Sequence, residues 1–278
     1  MTLQGKTALV TGATDGVGKL VALELARLGA EVLLHGRDAD KGDLVLAEIR
    51  RQVPDAKLRF YCADLAALDE VRQMARQVLA DHRRLHILVN NAGVALFAGQ
   101  PRTESRDGYE LHFAVNYLSH VLLTLMLLPL LREGAPARIV NVSSLGQAAI
   151  DFDDVMLEHD YSGERGYCQS KLAQILFTFE LSEQLKGTGV TVTAVHPATF
   201  MNTNMVVGQG LAARSRVEDG AEAVVRLAAS PDVEGDTGVF FNQTSLGRPH
   251  EQAFDAAARR RLWALSLKLA GAPAEAVD

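Results

Sequence analysis

The chain is 278 residues long, 48% apolar and 22% charged, so it can bury the core of one large domain. Its net charge of -6, with acids and bases interspersed and a pI of about 5.8, argues against nucleic acid or an anionic membrane as the main partner. Two cysteines, Cys62 and Cys168, are too few for a disulfide framework and lack metal-ligand spacing, which points to a reducing, cytoplasmic setting and to no metal.

Met1 to Lys6 runs directly into a predicted strand over 7–11, leaving no room for a signal peptide. That strand leads into Thr11-Gly12-Ala13-Thr14-Asp15-Gly16-Val17-Gly18 and a helix near 18–28. Glycines between a strand and a helix let the backbone approach a pyrophosphate, and the helix N-terminus favours its negative charge. The second strand, 31–35, ends in His35-Gly36-Arg37-Asp38. A dinucleotide without a 2′-phosphate is met there by an acidic residue, whereas Arg37 can pair with a 2′-phosphate. The expectation is therefore NADP(H), with NAD(H) left open because Asp38 and Asp15 are acidic; Lys19 could add positive charge.

A helix over 41–52 and a strand over 58–62 lead to Asp64-Leu65, followed by a helix over 68–82. The fourth strand, 87–90, ends in Asn90-Asn91-Ala92-Gly93, where amides can tie strand ends together while Ala92 and Gly93 admit a cofactor closely. A helical pattern over 105–131 contains the apolar run 121–131, interrupted by Thr124 and Pro129 and too short to span a bilayer, so it reads as a buried helix. The fifth strand, 138–143, closes on Ser143-Ser144, and residues 146–165 fit neither helix nor strand.

The helix over 166–185 carries Tyr167 and Lys171, whose spacing of four puts phenol and ammonium on one face. An ammonium at ~4 Å in an effective dielectric of ~20 supplies roughly 4 kcal/mol, enough to bring a phenol from about 10 toward about 7. A sixth strand over 191–196 runs into His196-Pro197-Ala198-Thr199-Phe200-Met201-Asn202-Thr203, and residues 198–216 again resist assignment. A helix over 217–230, a strand over 238–242 and a helical tail over 251–270 complete the chain; Arg259, Arg260 and Arg261 in that tail read as a solvated face.

About seven apolar strands separated by helices predict a parallel sheet with helices on both faces, in one domain spanning 1–278. The two unassigned segments follow strand ends, where ligands sit in such sheets, and are taken as substrate loops. Phe152, Met156, Phe200, Met201, Met205 and Leu211 in them suggest an apolar guest. The helices over 105–131 and 166–185 carry more apolar residues than one sheet face can bury, which suggests a homodimer or homotetramer.

Together, the glycine turn, Asn90 to Gly93, Asn116, Ser144 and the Tyr167–Lys171 pair resemble the short-chain dehydrogenase/reductase family over nearly the whole chain. Gly18-Lys19, Gly36-Arg37-Asp38, the run from His112 to Leu118, the run from Tyr167 to Ala173 and Gly187 to Val190 look most like its retinol-dehydrogenase-like and WW-domain-oxidoreductase-like branch. The resemblance implies a doubly wound Rossmann α/β domain and an NADP(H)-dependent oxidoreductase. Such an enzyme passes a hydride between nicotinamide and a carbonyl or a primary or secondary alcohol.

It also implies that Ser144 holds the carbonyl oxygen, Tyr167 is the general acid/base, Lys171 tunes the tyrosine and binds the nicotinamide ribose, and Asn116 positions a water leading toward Lys171. Cofactor contacts fall on Gly12, Thr14, Asp15, Gly16, Val17, Gly18, Arg37, Asp64, Leu65, Asn91, Ala92, Gly93, Tyr167, Lys171, Pro197, Thr199 and Thr203. Two departures stand out. Ala198 replaces the family's usual glycine, and the nicotinamide-contact threonine falls on Asn202 by direct counting or on Thr203 with one extra residue. Retinol itself is not carried over as substrate, because the expected chain has no anchoring segment. A catalytically silent NADP(H)-binding regulator is the alternative, although such proteins usually lose Ser, Tyr or Lys.

Overall fold

The computed structural model describes residues 2–96 and 99–272. Strands β1 (Thr7–Val10), β2 (Glu31–Gly36), β3 (Leu58–Cys62), β4 (Ile87–Asn90), β5 (Ala137–Val142), β6 (Val190–His196), β7 (Val239–Asn242) and β8 (Ser245–Leu246) form one sheet in the order β3-β2-β1-β4-β5-β6-β7-β8. Seven strands run parallel. The eighth is the difference from expectation: it pairs antiparallel to β7 at the exposed edge, and two residues carry no periodicity to read.

Side-chain alternation divides the core. Ala8, Val10, Val32, Leu34 and Val89 face α1 (Gly16–Arg27), α2 (Ala39–Gln52) and α7 (Val217–Ala229), while Leu9, Leu33, Leu88 and Ile139 pack with α3 (Leu68–Asp81), α4 (Ser119–Glu133), α5 (Gly163–Gln184) and α8 (Ala256–Ala270). The chain runs outward from β1 in one direction and from β4 in the other. The carboxyl ends of these two neighbours therefore frame a topological switch point, the usual ligand crevice of such sheets.

The expected helix over 105–131 starts later. Ser105 Oγ accepts from the amides of Asp107 and Tyr109, and Gly108 takes a φ of +81°, so the chain turns before the helix can begin. Phe113–Leu118 then winds as a π-helix before α4, a local widening that often marks a functional position. The span Phe113–Glu133 is long and apolar enough to cross a membrane, but its most apolar stretch, with mean hydropathy 1.7, is 89% buried inside the fold. Residues 146–165 give up their end to α5, which Ser162 caps by accepting from the Arg165 amide. Within 198–216 a short α6 (Asn204–Val207) forms.

Helix α8 covers the apolar surface that α4 and α5 leave over. Trp263 stacks on Phe177 at 5.8 Å and the Tyr117 hydroxyl bonds Ser266 at 2.7 Å. Part of the apolar surface that suggested a twofold interface is thus buried within the chain. The tail arginines are less solvated than expected: Arg260 is exposed, but Arg259 lies 3.5 Å from the buried Glu180, and Arg261 sits over the Phe152 ring and pairs with Asp153.

Candidate active site

The glycine turn joins β1 to α1 at the switch point. Gly12 and Gly16 have φ of +64° and +53°, and a Cβ on Gly18 would stand 2.3 Å from the Gly12 carbonyl oxygen, so this path requires glycine. No side chain caps α1 and no acid sits in its first turn, which leaves its amides available to an anion. Thr14 packs beside Gly36, and Val17 is buried.

Arg37, at the end of β2, is exposed and makes no ion pair or hydrogen bond with any described residue. The acids that counted against NADP(H) are engaged elsewhere. Asp38 caps α2 by accepting from the Lys41 amide, and Asp15 accepts from Asn204 at 2.7 Å. Lys19, which the sequence offers as a further positive charge, is paired with Glu48 at 3.2 Å. Uncapped amides and a cradle that a Cβ would fill suit the pyrophosphate of a dinucleotide.

The remaining expected contacts divide in two. Leu65 is buried beneath the β3 end, while Asp64 accepts from the Ala66 amide and faces Arg106 at 3.6 Å. The Asn91 side-chain amide donates to the carbonyls of Thr11 and Gly12, which braces the glycine turn. Ala92 and Gly93 line the crevice, and a Cβ on Gly93 would lie 3.1 Å from Asn116 Oδ1 and 3.7 Å from Lys171 Nζ. Pro197 and Ala198 are buried, and Thr199 Oγ1 meets His196 Nε2 at 3.0 Å. Of the two candidates after β6, in the loop over 198–216 that forms a lid on this face, Asn202 is exposed and Thr203 lies against Gly16.

At the end of β5 the two serines separate by role. Ser143 is buried and donates to the Lys171 carbonyl at 2.7 Å, while Ser144 Oγ accepts from the Gly146 amide and hydrogen-bonds the Tyr167 phenol. Asn116 lies within the π-helix with its amide committed: Oδ1 accepts from Val94 N, and Nδ2 donates to Val94 O and Ser170 Oγ. It clamps the β4 loop, and none of its side-chain bonds reaches Lys171.

The expected depression of the Tyr167 pKa is not found; burial raises it instead, offset in part by the Ser144 hydrogen bond. The Lys171 Nζ is 5.7 Å from the phenol ring centroid and donates to Val142 O at 2.9 Å and Gln174 Oε1 at 3.0 Å. No carboxylate among the described residues pairs with it, and desolvation pushes it down to about 7. The ammonium that spacing places on the phenol's face of α5 thus spends two of its hydrogen bonds on neutral acceptors.

Three buried histidines hold the crevice together, and their partners assign the tautomers. His35 Nδ1 accepts from the Gly12 amide, so Nε2–H donates to Ala63 O. His120 Nδ1–H donates to Asn116 O, so Nε2 accepts from the Thr11 hydroxyl, whose oxygen takes the amides of Asn91 and Ala92. His196 Nδ1 accepts from the Leu145 amide and Nε2–H donates to Thr199. Only His196 drew notice in the sequence. A buried strand or helix histidine shows no pattern of its own, although His120 stands one turn after Asn116.

Burial pushes these three histidines down to about 4, about 3 and about 4, respectively. A fall from 6.5 to about 4 corresponds to roughly 3 kcal/mol per group. The unfolded chain takes up these protons first, so stability is complete above pH ~6.5 and is lost as pH falls toward ~4. Urea denaturation followed by circular dichroism is expected to show several kcal/mol less stability at pH 4.5 than at pH 7. Equal midpoints at the two pH values would contradict the neutral-histidine assignment.

Of the six apolar loop residues, Phe152, Met156 and Met201 pack on the body, and Phe200, Met205 and Leu211 are exposed on the lid. Besides Thr203 on Gly16, the lid meets the crevice through Asn204 on Asp15 and through Gln209, whose side chain hydrogen-bonds the Ala95 carbonyl. A groove of about 510 Å³ between α5, the β7–β8 hairpin and Arg259 shares no residue with this site.

The family model described as short chain dehydrogenase matches residues 6–211. Human retinol dehydrogenase 13 is 39% identical, over 99% of this chain and 88% of that protein, and mouse retinol dehydrogenase 11 is 39% identical over 98% and 89%. Among solved structures, a Mycobacterium Paratuberculosis protein is 29% identical with a TM-score of 0.78 over 98% of this chain and 95% of its own. The Pseudomonas aeruginosa RhlG/NADP active-site complex is 27% identical with a TM-score of 0.70 over 87% and 95%. A family match across most of the sequence, near-full-length relatives and one sheet edge that gathers the glycine turn, Ser144, Tyr167 and Lys171 lead to one assignment: the chain belongs to the short-chain dehydrogenase/reductase family of oxidoreductases, in its retinol-dehydrogenase-like branch.

Proposed function

We propose that this chain is an NADP(H)-dependent reductase acting on the carbonyl of an apolar small molecule, working in the cytoplasm, with alcohol oxidation as the reverse reaction. The observation that carries the reading is the Ser144–Tyr167 hydrogen-bonded pair, whose phenol burial keeps protonated. A protonated phenol is the donor form that carbonyl reduction requires. The glycine turn, Gly93, Thr203 and Arg37 would hold the cofactor, which when bound supplies the hydride.

In this reading Ser144 and Tyr167 donate hydrogen bonds to the substrate oxygen, and Tyr167 releases its proton as negative charge develops there. Lys171, buried beside Gly93, favours that charge and orients the ribose. The exposed lid residues Phe200, Met205 and Leu211 supply apolar surface at the entrance. The chain's two cysteines are free, which suits a reducing compartment. Loss of NADPH absorbance with a panel of ketones, aldehydes and quinones tests the proposal, and no turnover of any of them, with no reduction of NADP⁺ by the matching alcohols, would reject it.

Cofactor choice has its own test. Arg37→Ala removes the side chain assigned to the 2′-phosphate, so the NADPH dissociation constant should rise roughly 10- to 100-fold while that of NADH stays within about twofold. Fluorescence titration reads both, and unchanged NADPH affinity would return the choice to NAD(H).

A further inference from the structure

Glu110 and His112 have no part in the site as described above, yet both are buried, at 1% and 0% exposure, one turn before Asn116. His112 Nε2 accepts from the Leu96 amide at 2.9 Å, so its proton is on Nδ1 and is donated to Glu110 Oε1 at 2.7 Å. Glu110 Oε2 accepts from the Phe113 amide at 2.7 Å, which fixes the carboxylate at the start of the π-helix. The imidazole also meets the Tyr167 ring edge-on, with centroids 6.3 Å apart and planes at 85°. Helix α5 approaches this pair as closely as it does only because residue 166 is glycine: a Cβ there would lie 2.8 Å from His112 Nδ1 and 3.0 Å from Glu110 Oε1.

Three pieces of the site therefore meet at one imidazole: the helix start carrying Asn116, the ring of Tyr167, and the loop after β4. That loop is also where the lid lands, since Gln209 bonds the Ala95 carbonyl next to the Leu96 amide that His112 holds. We infer that the Glu110–His112 pair is a positioning device that sets the Ala95–Leu96 strip against Tyr167, forming the wall on which the lid closes over the carbonyl substrate. This deepens the reductase reading and rests on it. Neither residue touches the glycine turn or Arg37 in any hydrogen bond or ion pair, so the device acts on the substrate side of the site and leaves cofactor affinity alone.

The test compares two replacements in the full chain, using whichever carbonyl the wild type reduces. His112→Leu keeps the volume but loses both hydrogen bonds, and kcat/KM should fall roughly a hundredfold, as for a small misplacement of reacting groups, while NADPH affinity stays within about twofold. His112→Gln retains a donor for Glu110 and an acceptor for Leu96, and should recover activity to within about fivefold of wild type. A folded His112→Leu chain with wild-type kcat/KM overturns the inference, as does equal impairment of the Leu and Gln variants.

If His112→Leu does not fold, Leu96→Pro deletes the same hydrogen bond from the loop side, and wild-type kcat/KM in that variant overturns the inference. Hydrogen exchange at the Leu96 amide needs no turnover. It should be protected in wild type and in His112→Gln and unprotected in His112→Leu, and an unprotected wild-type amide also overturns the inference. Failure to reduce any carbonyl, with the protection pattern intact, would instead count against the reductase reading.

Discussion

Tyr167→Phe is expected to lower kcat for carbonyl reduction by about 10³-fold, within the range that a positioned general acid supplies. The phenol hydroxyl combines a transferable proton, a hydrogen bond to Ser144 and a place on the face of α5 that also carries Lys171. The variant loses that proton and little else. The ring and its edge contact with His112 remain, so NADPH affinity should stay within about twofold, and the lost hydrogen bond should cost about 1 kcal/mol of stability. Single-turnover absorbance separates chemistry from binding. A folded variant that binds NADPH and still reduces the wild type's substrates at more than a tenth of its rate would remove Tyr167 from the mechanism, whereas loss of binding along with rate would make it a cofactor residue.

The crevice was legible in the sequence wherever chemistry and backbone geometry demand the same residue. Gly12, Gly16 and Gly18 are required both by positive φ or close approach and by access for an anion, so their spacing after a strand was enough. Ser144 was separable from Ser143 only by resemblance; the structure supplies the physical reason, since the Ser143 hydroxyl is already used on the Lys171 carbonyl.

What could not be read was which side chains would be consumed by their neighbours. Asp38 caps α2, the Asn91 amide braces the glycine turn and Asn116 clamps Val94, structural bonds that the sequence did not announce beside the roles expected of these residues. Each is a short polar side chain whose partner is backbone distant in sequence or specific to one helix end, and no periodicity records such pairings. The π-helix was hidden for a related reason, because one widened turn barely disturbs an apolar pattern already dense on every side. The role of α8 was hidden because its covering face is interleaved with arginines, which suggested solvent and hid Trp263 on Phe177.

Lys171→Met is expected to inactivate the chain and stabilise it at once. Burial without a carboxylate holds this ammonium down to about 7 from 10.5, equivalent to roughly 5 kcal/mol as an upper bound on the cost of keeping it charged. The sign follows from proton binding. Between pH ~7 and ~10.5 the unfolded chain keeps a proton that the folded chain has released, so stability rises with pH, by up to about 1.4 kcal/mol per pH unit. Below pH 7 both states are protonated and the folded chain carries the whole penalty.

Methionine removes the charge and keeps the stem, so the variant should gain on the order of 2–4 kcal/mol at pH 7 and lose the rise between pH 7 and 8.5. Cys168, pushed up to about 11 by burial, acts with the opposite sign only as pH approaches 9 and is common to both chains, so the difference between their slopes isolates the lysine. At the same time kcat should fall by about 10²-fold or more, because on the proposed reading the substrate oxygen loses a buried cation and the ribose loses a ligand. Urea midpoints and initial rates across pH 6.5–8.5 test both halves. If stability and activity fell together, Lys171 would be a structural group whose hydrogen bonds to Val142 and Gln174 hold the β5 end to α5; if they move in opposite directions, the fold is keeping a destabilising charge for the reaction it serves.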